Sequence, residues 1–437
     1  MAPDLGKSVL IQKDMAHLII RNIGPIKDAD IELNKVNVIM GPQSSGKSTI
    51  NKIACYCSWV EKKIAIDNSF EYFIGEDFFI NDLVQYHKLN GYIKQNSYIE
   101  YESEVLKLTY THSIRKLIIE WKDRYSFKRP KITYIPSERN MVSVIPNWFE
   151  VKLKDSYFLD FLADWSTARS HLSMENSSEI LNLGVKYYFD ELTKKDYVKV
   201  DNETTLELTN TSSGLQSIIP LIILVNYLTN WVYAAESLTS VVDKQMNNQL
   251  RITKEFFDVF KDYLNKNENK AIQFQLLGEK IDLSNILNNP KLVEELNKKQ
   301  QEFYKNSWTN FFIEEPEQNL FPSSQRDLMY FLLQTINGNK DHKLFLTTHS
   351  PYILYALNNC MLGHLVKDNM PEDEAKELLC YPAWIDPQKV SVWEIEDGRL
   401  RNIQDKDNIV SENYFDQQMT KLTNEYYQML NYYEDEE

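Results

Sequence analysis

Eight consecutive residues, Gly41-Pro42-Gln43-Ser44-Ser45-Gly46-Lys47-Ser48, are spaced to grip a chain of phosphates, fitting G-x-x-x-x-G-K-[ST] throughout. The glycines let the backbone curl until successive N–H groups point at phosphate oxygens. Lys47 has the length to reach the β- and γ-phosphates, and the Ser48 hydroxyl is placed to sit on Mg²⁺. The context fits, because Val36–Met40 is a short apolar strand candidate and residues 49–55 open a helix candidate. A chance glycine-rich turn is the alternative, and lysine, serine and strand-loop-helix context together weigh against it. The pattern predicts a bound nucleoside triphosphate with Mg²⁺, held by Gly41, Gln43, Ser44, Ser45, Gly46, Lys47, Ser48 and Thr49.

Three further stretches could do chemistry. Asn310-Phe311-Phe312-Ile313-Glu314-Glu315-Pro316-Glu317 reads as an apolar strand ending in paired carboxylates. Burying such a pair with no cation is costly, so the pair points to Glu314 beside a metal and Glu315 facing an attacking water as its base. Lys343-Leu344-Phe345-Leu346-Thr347-Thr348-His349 is a buried strand candidate ending in a histidine, and a lone histidine is usually structural. Ser212-Ser213-Gly214 precedes a strongly apolar helix, and read alone it is more often an N-cap, with Ser212 or Ser213 capping.

Taken in order, these pieces resemble a known family. Arg21-Asn22-Ile23-Gly24-Pro25-Ile26, an alternating strand and then the P-loop resemble the amino-terminal head of ABC-class ATPases of the RecF, SMC and OLD (overcoming lysogenisation defect) kind. The resemblance implies an α/β P-loop NTPase fold: an ABC-type ATPase head with an antiparallel β lobe and a helical insertion between signature and Walker B motifs. It implies that Ser212, Ser213 and Gly214 are the signature motif, binding the γ-phosphate held by another protomer, and hence a head-to-tail homodimer. It makes Glu315 and His349 the catalytic pair, with His349 on the γ-phosphate, and puts Ser48 and Glu314 on the metal, where the family normally has aspartate in place of Glu314. Residues 318–322 stand at the place of the D-loop, which in the family lies across the dimer interface. The family's Q-loop glutamine has no counterpart in Pro136-Ser137-Glu138-Arg139-Asn140, where Glu138 or Arg139 are the candidates to stand in.

Composition bounds the rest. The chain of 437 residues is 43% apolar and 25% charged, ordinary for a soluble globular protein of one large domain with an insertion or of two to three average ones. The period-two pattern of residues 17–33 predicts a hairpin turning at Gly24-Pro25, and alternation over residues 98–121 predicts antiparallel strands. A net charge of −15 argues against wholesale attraction to DNA or acidic membranes. The local exception is residues 115–131, where seven basic residues from Arg115 to Lys131 stand against Glu120 and Asp123. This is either a nucleic-acid patch or the solvated face of the antiparallel lobe. Cys55, Cys57, Cys360 and Cys380 fall in no zinc spacing, which suits a reduced, cytoplasmic protein. The longest apolar run, residues 218–228, is too short for a bilayer, so no membrane is expected.

The expected organisation is a flexible lead at 1–14, an ATPase head from 15–226 and 308–404, a helical insertion at 227–307, and a carboxy-terminal helix with an acidic tail at 405–437. Within the insertion, Ile252, Phe256, Val259 and Tyr263 recur at helical spacing, as do Leu292, Leu296 and Phe303. Around Asp397-Gly398 a final hairpin is expected. Asp405-Lys406-Asp407 lacks an apolar strand before it and reads as a surface turn, so slow ATP hydrolysis, without nuclease activity, is the chemistry expected. Two functional classes follow. One is the ATPase subunit of a bacterial antiphage, abortive-infection system, similar to those of PARIS and Septu, acting as a sensor or scaffold for a separate effector or toxin. The other is a RecF- or SMC-like repair clamp on DNA.

Overall fold

The computed structural model describes residues 15–433, apart from 76, 146–147, 151–155 and most of 236–304, of which 276, 277, 280, 281, 294, 298, 302 and 303 are described. The alternating amino-terminal segment forms β1 (Ala16–Ile23) and β2 (Ile26–Leu33), antiparallel about Gly24. Leu18, Ile20, Ile31 and Leu33 point into the core, while Arg21 and Asp28 pair on the outer face at 3.0 Å. β3 (Val36–Met40) does not alternate, and all five of its residues are buried, as expected of a parallel strand covered on both faces.

From there the chain runs through α1 (Lys47–Asp67), α2 (Phe78–Tyr86), β4 (Ile93–Glu102), β5 (Leu106–Thr111), β6 (Lys116–Trp121), β7 (Pro130–Ile135) and α3 (Tyr157–Ser170). A separate four-stranded sheet follows, of β8 (Ser178–Glu179), β9 (Lys186–Asp190), β10 (Lys195–Lys199) and β11 (Thr205–Glu207). Then come α4 (Ser213–Asn226), the two-residue strands β12 (Leu276–Leu277) and β13 (Lys280–Ile281), β14 (Trp308–Glu314), α5 (Pro322–Ile336), β15 (Lys343–Thr348), α6 (Pro351–Val366), β16 (Val390–Glu396), β17 (Arg399–Asn402) and α7 (Tyr414–Leu430).

Eleven strands make one mixed sheet, ordered β6-β5-β4-β1-β2-β17-β16-β3-β15-β14-β7. From β16 to β7 every neighbour is parallel, and from β6 to β2 every neighbour is antiparallel. The seam is the β16–β17 hairpin. Its turn residues Asp397 and Gly398 have φ of 49° and 76°, the positive pair that a tight hairpin turn requires. The Gly398 carbonyl accepts from the Lys27 amide at 2.7 Å, and a Cβ on Gly398 would stand 2.4 Å from the Pro25 carbonyl. Only glycine lets the carboxy-terminal hairpin close on β2.

One helix runs across the expected limit between head and insertion. The apolar run ends at Leu228 in the sequence, and 226 was the expected domain limit, yet α4 continues through a π-helical turn, Tyr227–Trp231, into a last turn, Val232–Ala235. Among the described residues, Ser213–Ala234 is thus one helix of 22 residues, long and apolar enough to cross a membrane by length and composition. Its most apolar window is 61% buried, and Ile218, Ile219, Leu221 and Leu224 are fully enclosed. The helix lies in the protein core. The helical candidates at Ile252, Phe256, Val259, Tyr263, Leu292 and Leu296 lie outside the described residues, as do 1–14 and 434–437. Phe303 is described, and it packs against Phe127 with ring centroids 5.9 Å apart.

Candidate functional site

The parallel strands deliver the chemistry to one edge. Registry pairs Thr348 of β15 with Met40 of β3, and Glu314 of β14 with Thr347, so the P-loop, Glu315 and His349 leave adjacent strands at the same carboxyl end. That is where ligands bind in open α/β sheets. There Gln43, Ser44, Gly46, Lys47, Ser48 and Thr49 line a cavity of about 440 Å³ with Glu315 and His349. Pro25, Tyr92 and Thr347 complete it, and sequence reasoning had given none of these three a role.

Gly41 and Ser45 shape the loop without lining the cavity. Gly41 has φ 148°, and a Cβ there would sit 3.0 Å from the Ile395 carbonyl. Gly46 has φ 106°, and a Cβ there would lie 2.3 Å from Ile26 Cδ1. The loop is therefore seated between β2 and β16. It feeds α1, whose start carries no side-chain cap, leaving first-turn N–H groups for an anion.

Charge in the cavity is arranged around Lys47. Its side chain is buried, and its ammonium donates to the carbonyls of Gly41 at 2.9 Å and Pro42 at 2.7 Å. Burial pulls its pKa down to about 8, against the opposing attraction of Glu315 and Glu317. Glu315 has a left-handed backbone, φ 41°, held by its amide donating to the Thr347 carbonyl at 2.9 Å. Its carboxylate stands 3.3 Å from His349 Nε2. That contact holds the carboxyl below the usual range despite partial burial, aided by the charges of His349, Lys47 and Arg139.

Glu317, which the sequence reading left without a role, is partly buried, and it accepts from the His349 amide at 2.6 Å. Burial pushes its carboxyl up. It fixes the backbone from which His349 projects.

Two residues named from the sequence sit apart from the cavity lining. Glu314 is buried, but its carboxylate accepts from the Tyr134 phenol on β7, and it does not line the cavity. Arg139 does not stand in for a Q-loop glutamine. It is fully buried, and its guanidinium donates to the carbonyls of Ser217, Pro136, Glu314, Glu315 and Pro316 at 2.8–3.2 Å. Burial lowers its pKa to about 10, so it stays charged at neutral pH and fastens the loop after β14 to α4. Glu138 is exposed and bonded to the Ser137 hydroxyl at 3.1 Å.

Ser212 accepts from the Leu215 amide at 3.5 Å and so caps α4, yet Ser212 and Ser213 remain exposed. Gly214 abuts residue 319 of the next motif: a Cβ on it would lie 3.1 Å from the Asn319 carbonyl, and Asn319 Nδ2 donates to Ser217 Oγ at 2.8 Å. None of Ser212, Ser213 or Gly214 lines the cavity of its own chain.

The donor set fits a magnesium nucleotide. Ser48 and Lys47 face the cavity, and the buried Thr347 hydroxyl on its wall has no partner among the described residues. No group of three His, Cys, Asp or Glu that could hold a metal occurs among the described residues. Ser48 and the nucleotide's own oxygens would therefore be the main ligands, as is usual for Mg²⁺.

Elsewhere, the basic stretch is largely engaged within the chain. Arg115 pairs with Asp77 at 2.9 Å, Lys122 with Glu102 at 2.7 Å and Lys131 with Asp164 at 2.8 Å, while Arg124 donates to Asn68 at 2.7 Å. Lys116 and Lys128 are exposed. The four cysteines are free and buried. Asp405 accepts from the Asp407 amide at 2.9 Å and the Ile409 amide at 3.1 Å, the geometry of a closed surface turn.

A mixed sheet whose parallel strands carry a P-loop, a carboxylate and a histidine into one cavity defines a P-loop ATPase. A family profile described as AAA ATPase domain matches residues 292–354, which include β14, Glu315 and His349. No curated protein matches the chain. Among solved structures, the chain is similar to the SMC head domain from Thermotoga maritima, at 9% identity over 91% of this chain and 99% of that one, TM-score 0.35. It is also similar to the Smc head domain with an extended coiled coil bound to the carboxy-terminal domain of ScpA, derived from Pyrococcus furiosus, at 8% identity over 94% and 98%, TM-score 0.33. A third is the recombination mediator protein RecF-ATPrS, at 11% identity over 89% and 98%, TM-score 0.29.

Proposed function

We propose that this ATPase is a nucleotide-driven dimerising switch, and that it serves antiphage defence by holding or releasing a separate effector protein. One observation carries the switch: Lys47, Ser48, Glu315 and His349 share a cavity, whereas Ser212 and Ser213 are exposed at the start of α4 and do not line that cavity. Two protomers placed head to tail would complete two sites, each with the P-loop of one chain and Ser212, Ser213 and Gly214 of the other. The effector role rests on the family resemblance of the ordered motifs and on the acidic net charge of −15.

In such a site Glu315, ionised at neutral pH, takes a proton from the attacking water as the water oxygen bonds to the γ-phosphorus and the bond to the β-phosphate oxygen breaks. Lys47 and His349 meet the charge on the γ-phosphate. Bound Mg²⁺ supplies neutralisation of the β- and γ-oxygens. Arg139 grips the carbonyls on both sides of the Glu314–Glu315 peptide link and that of Ser217 in α4. A change at the base is therefore passed to the helix that carries the signature.

Native mass determination of the Glu315→Gln protein, purified with ATP and Mg²⁺ from its own host, tests this. A dimer carrying a stoichiometric second polypeptide is the expected result. A mass unchanged by ATP would overturn the switch. The second reading, a repair clamp, is favoured by exposed Lys116 and Lys128, and a bare dimer that shifts onto duplex DNA in a salt-dependent way would replace the effector with DNA.

A further inference from the structure

A second cavity, of about 480 Å³, lies between α1, α2, β7 and α3 and shares no lining residue with the nucleotide cavity. Its walls are aromatic, with Tyr56, Trp59, Tyr86 and Tyr157 prominent, and they carry three carboxylates, Asp82, Asp160 and Asp164. Asp164 is paired with Lys131 at 2.8 Å. Asp82 and Asp160 meet only phenols among the described residues: Tyr56 donates to Asp82 at 3.0 Å and Tyr86 donates to Asp160. Lys52 and Lys88 lie over the ring of Tyr157 at 5.2 and 5.4 Å, and Lys63, paired with Asp67, lies over the ring of Tyr72 at 4.9 Å.

His87 also lines this cavity. It is 1% exposed and stacked on Tyr157 at 5.8 Å, and neither of its ring nitrogens has a hydrogen-bond partner among the described residues. Buried polar groups are ordinarily satisfied, and this imidazole is instead packed among the rings of Tyr56, Tyr86, Tyr134 and Tyr157, with both nitrogens enclosed. Burial drives its pKa down to about 3, which keeps it neutral, with one nitrogen to donate and one to accept.

We infer that this cavity binds an organic cation, a guanidinium or ammonium on a short hydrocarbon stem, with Asp82 and Asp160 meeting its charge and the rings covering its stem. Aromatic walls with carboxylates recognise such groups through cation–π attraction and charge together. The cation could be a free amine or a basic side chain of a partner polypeptide. Either occupant would be felt at the nucleotide site. Tyr134 lines this cavity and hydrogen-bonds Glu314, and α1 carries Cys55, Tyr56 and Trp59 into it from the same helix that starts with Lys47. This binding does not depend on the dimer or on the effector.

Calorimetric titration of the full-length protein with agmatine, with acetyl-Gly-Arg-Gly-amide and with uncharged butylurea is the test. The cations should bind saturably and at least tenfold tighter than butylurea, a comparison that needs no variant. Asp82→Asn and Asp160→Asn should each weaken agmatine about tenfold or more while circular dichroism and melting stay as in the parent protein. Saturating agmatine should shift the affinity for ATP, and saturating ATP should shift the affinity for agmatine by the same factor, since coupling between sites is reciprocal. The tighter of agmatine and the peptide identifies the source as small molecule or polypeptide. Absence of saturable cation binding at millimolar concentration, or equal binding of butylurea, would overturn the inference.

Discussion

The P-loop half of the site and the signature half are built on opposite terms. The first is enclosed: Lys47 is buried, its loop is wedged between Ile26 and Ile395, and Glu315 faces His349 within one cavity. The second is presented: α4 is buried along its apolar length, while its start, Ser212 and Ser213, stands exposed, with Gly214 pressed on Asn319. The enclosed half has the groups to bind nucleotide alone, and the presented half has the form of something offered to a neighbour. Arg139 joins the two, and it is fully buried.

That contrast can be broken in several places. The largest effect is expected at the enclosed half. Glu315→Gln should lower turnover by about 10²- to 10⁴-fold while ATP binding survives, read by single-turnover hydrolysis and by equilibrium binding. Lys47→Ala should abolish detectable ATP binding in the same assay with little loss of melting temperature, because its ammonium bonds only carbonyls of its own loop. Equal loss of binding in both variants would mean that Glu315 is a binding group and not the base.

At the presented half, Ser213→Arg should leave ATP affinity of the monomer unchanged while removing ATP-dependent dimer formation, as measured by light scattering. If this variant loses nucleotide binding as well, the two halves are not separate. Replacing the link, Arg139→Leu, strips the donor from five buried carbonyls, and it should cost about 3–5 kcal/mol of stability in denaturant unfolding.

The smallest expected effect is on pH dependence. Glu315 is held below its ordinary value of 4.5 chiefly by the His349 contact, so its ionised form is favoured in the folded protein. That contribution is present above the unfolded carboxyl's pKa and is lost as pH falls through the lower folded value. In His349→Ala the acid limb of the turnover profile should therefore move upward, toward 4.5. An unmoved limb would assign the limb to another group.

Much of this was legible in the residues. The P-loop is a local object, since its glycines, lysine and serine act through their own backbone, and its reading needs only a strand before and a helix after. The period-two hairpin and the Asp397-Gly398 turn are local too, fixed by side-chain alternation and by positive φ. The paired carboxylates announced themselves by charge at the end of an apolar strand, but their division of labour did not, because the Tyr134 phenol that occupies Glu314 comes from a different strand of the sheet.

Arg139 shows the same limit: a basic residue in a loop reads as a ligand contact until the fold shows it surrounded by carbonyls from two distant segments. The continuation of α4 past the apolar run was not legible either, since it rests on contacts such as the Thr229 hydroxyl turned back onto the Val225 carbonyl at 2.7 Å.

By itself the sequence determined which residues carry phosphate chemistry and in what order, since those depend on residue type and short spacing. Tertiary structure decided which of them meet: that Glu315 and not Glu314 lines the cavity, that Ser212, Ser213 and Gly214 do not line it, and that four elements enclose a second cavity beside His87, whose ring nitrogens have no partner among the described residues. The reason is physical. Burial, hydrogen-bond partners and the pKa values they set arise from contacts between segments far apart in the chain, and no local pattern of residues encodes them.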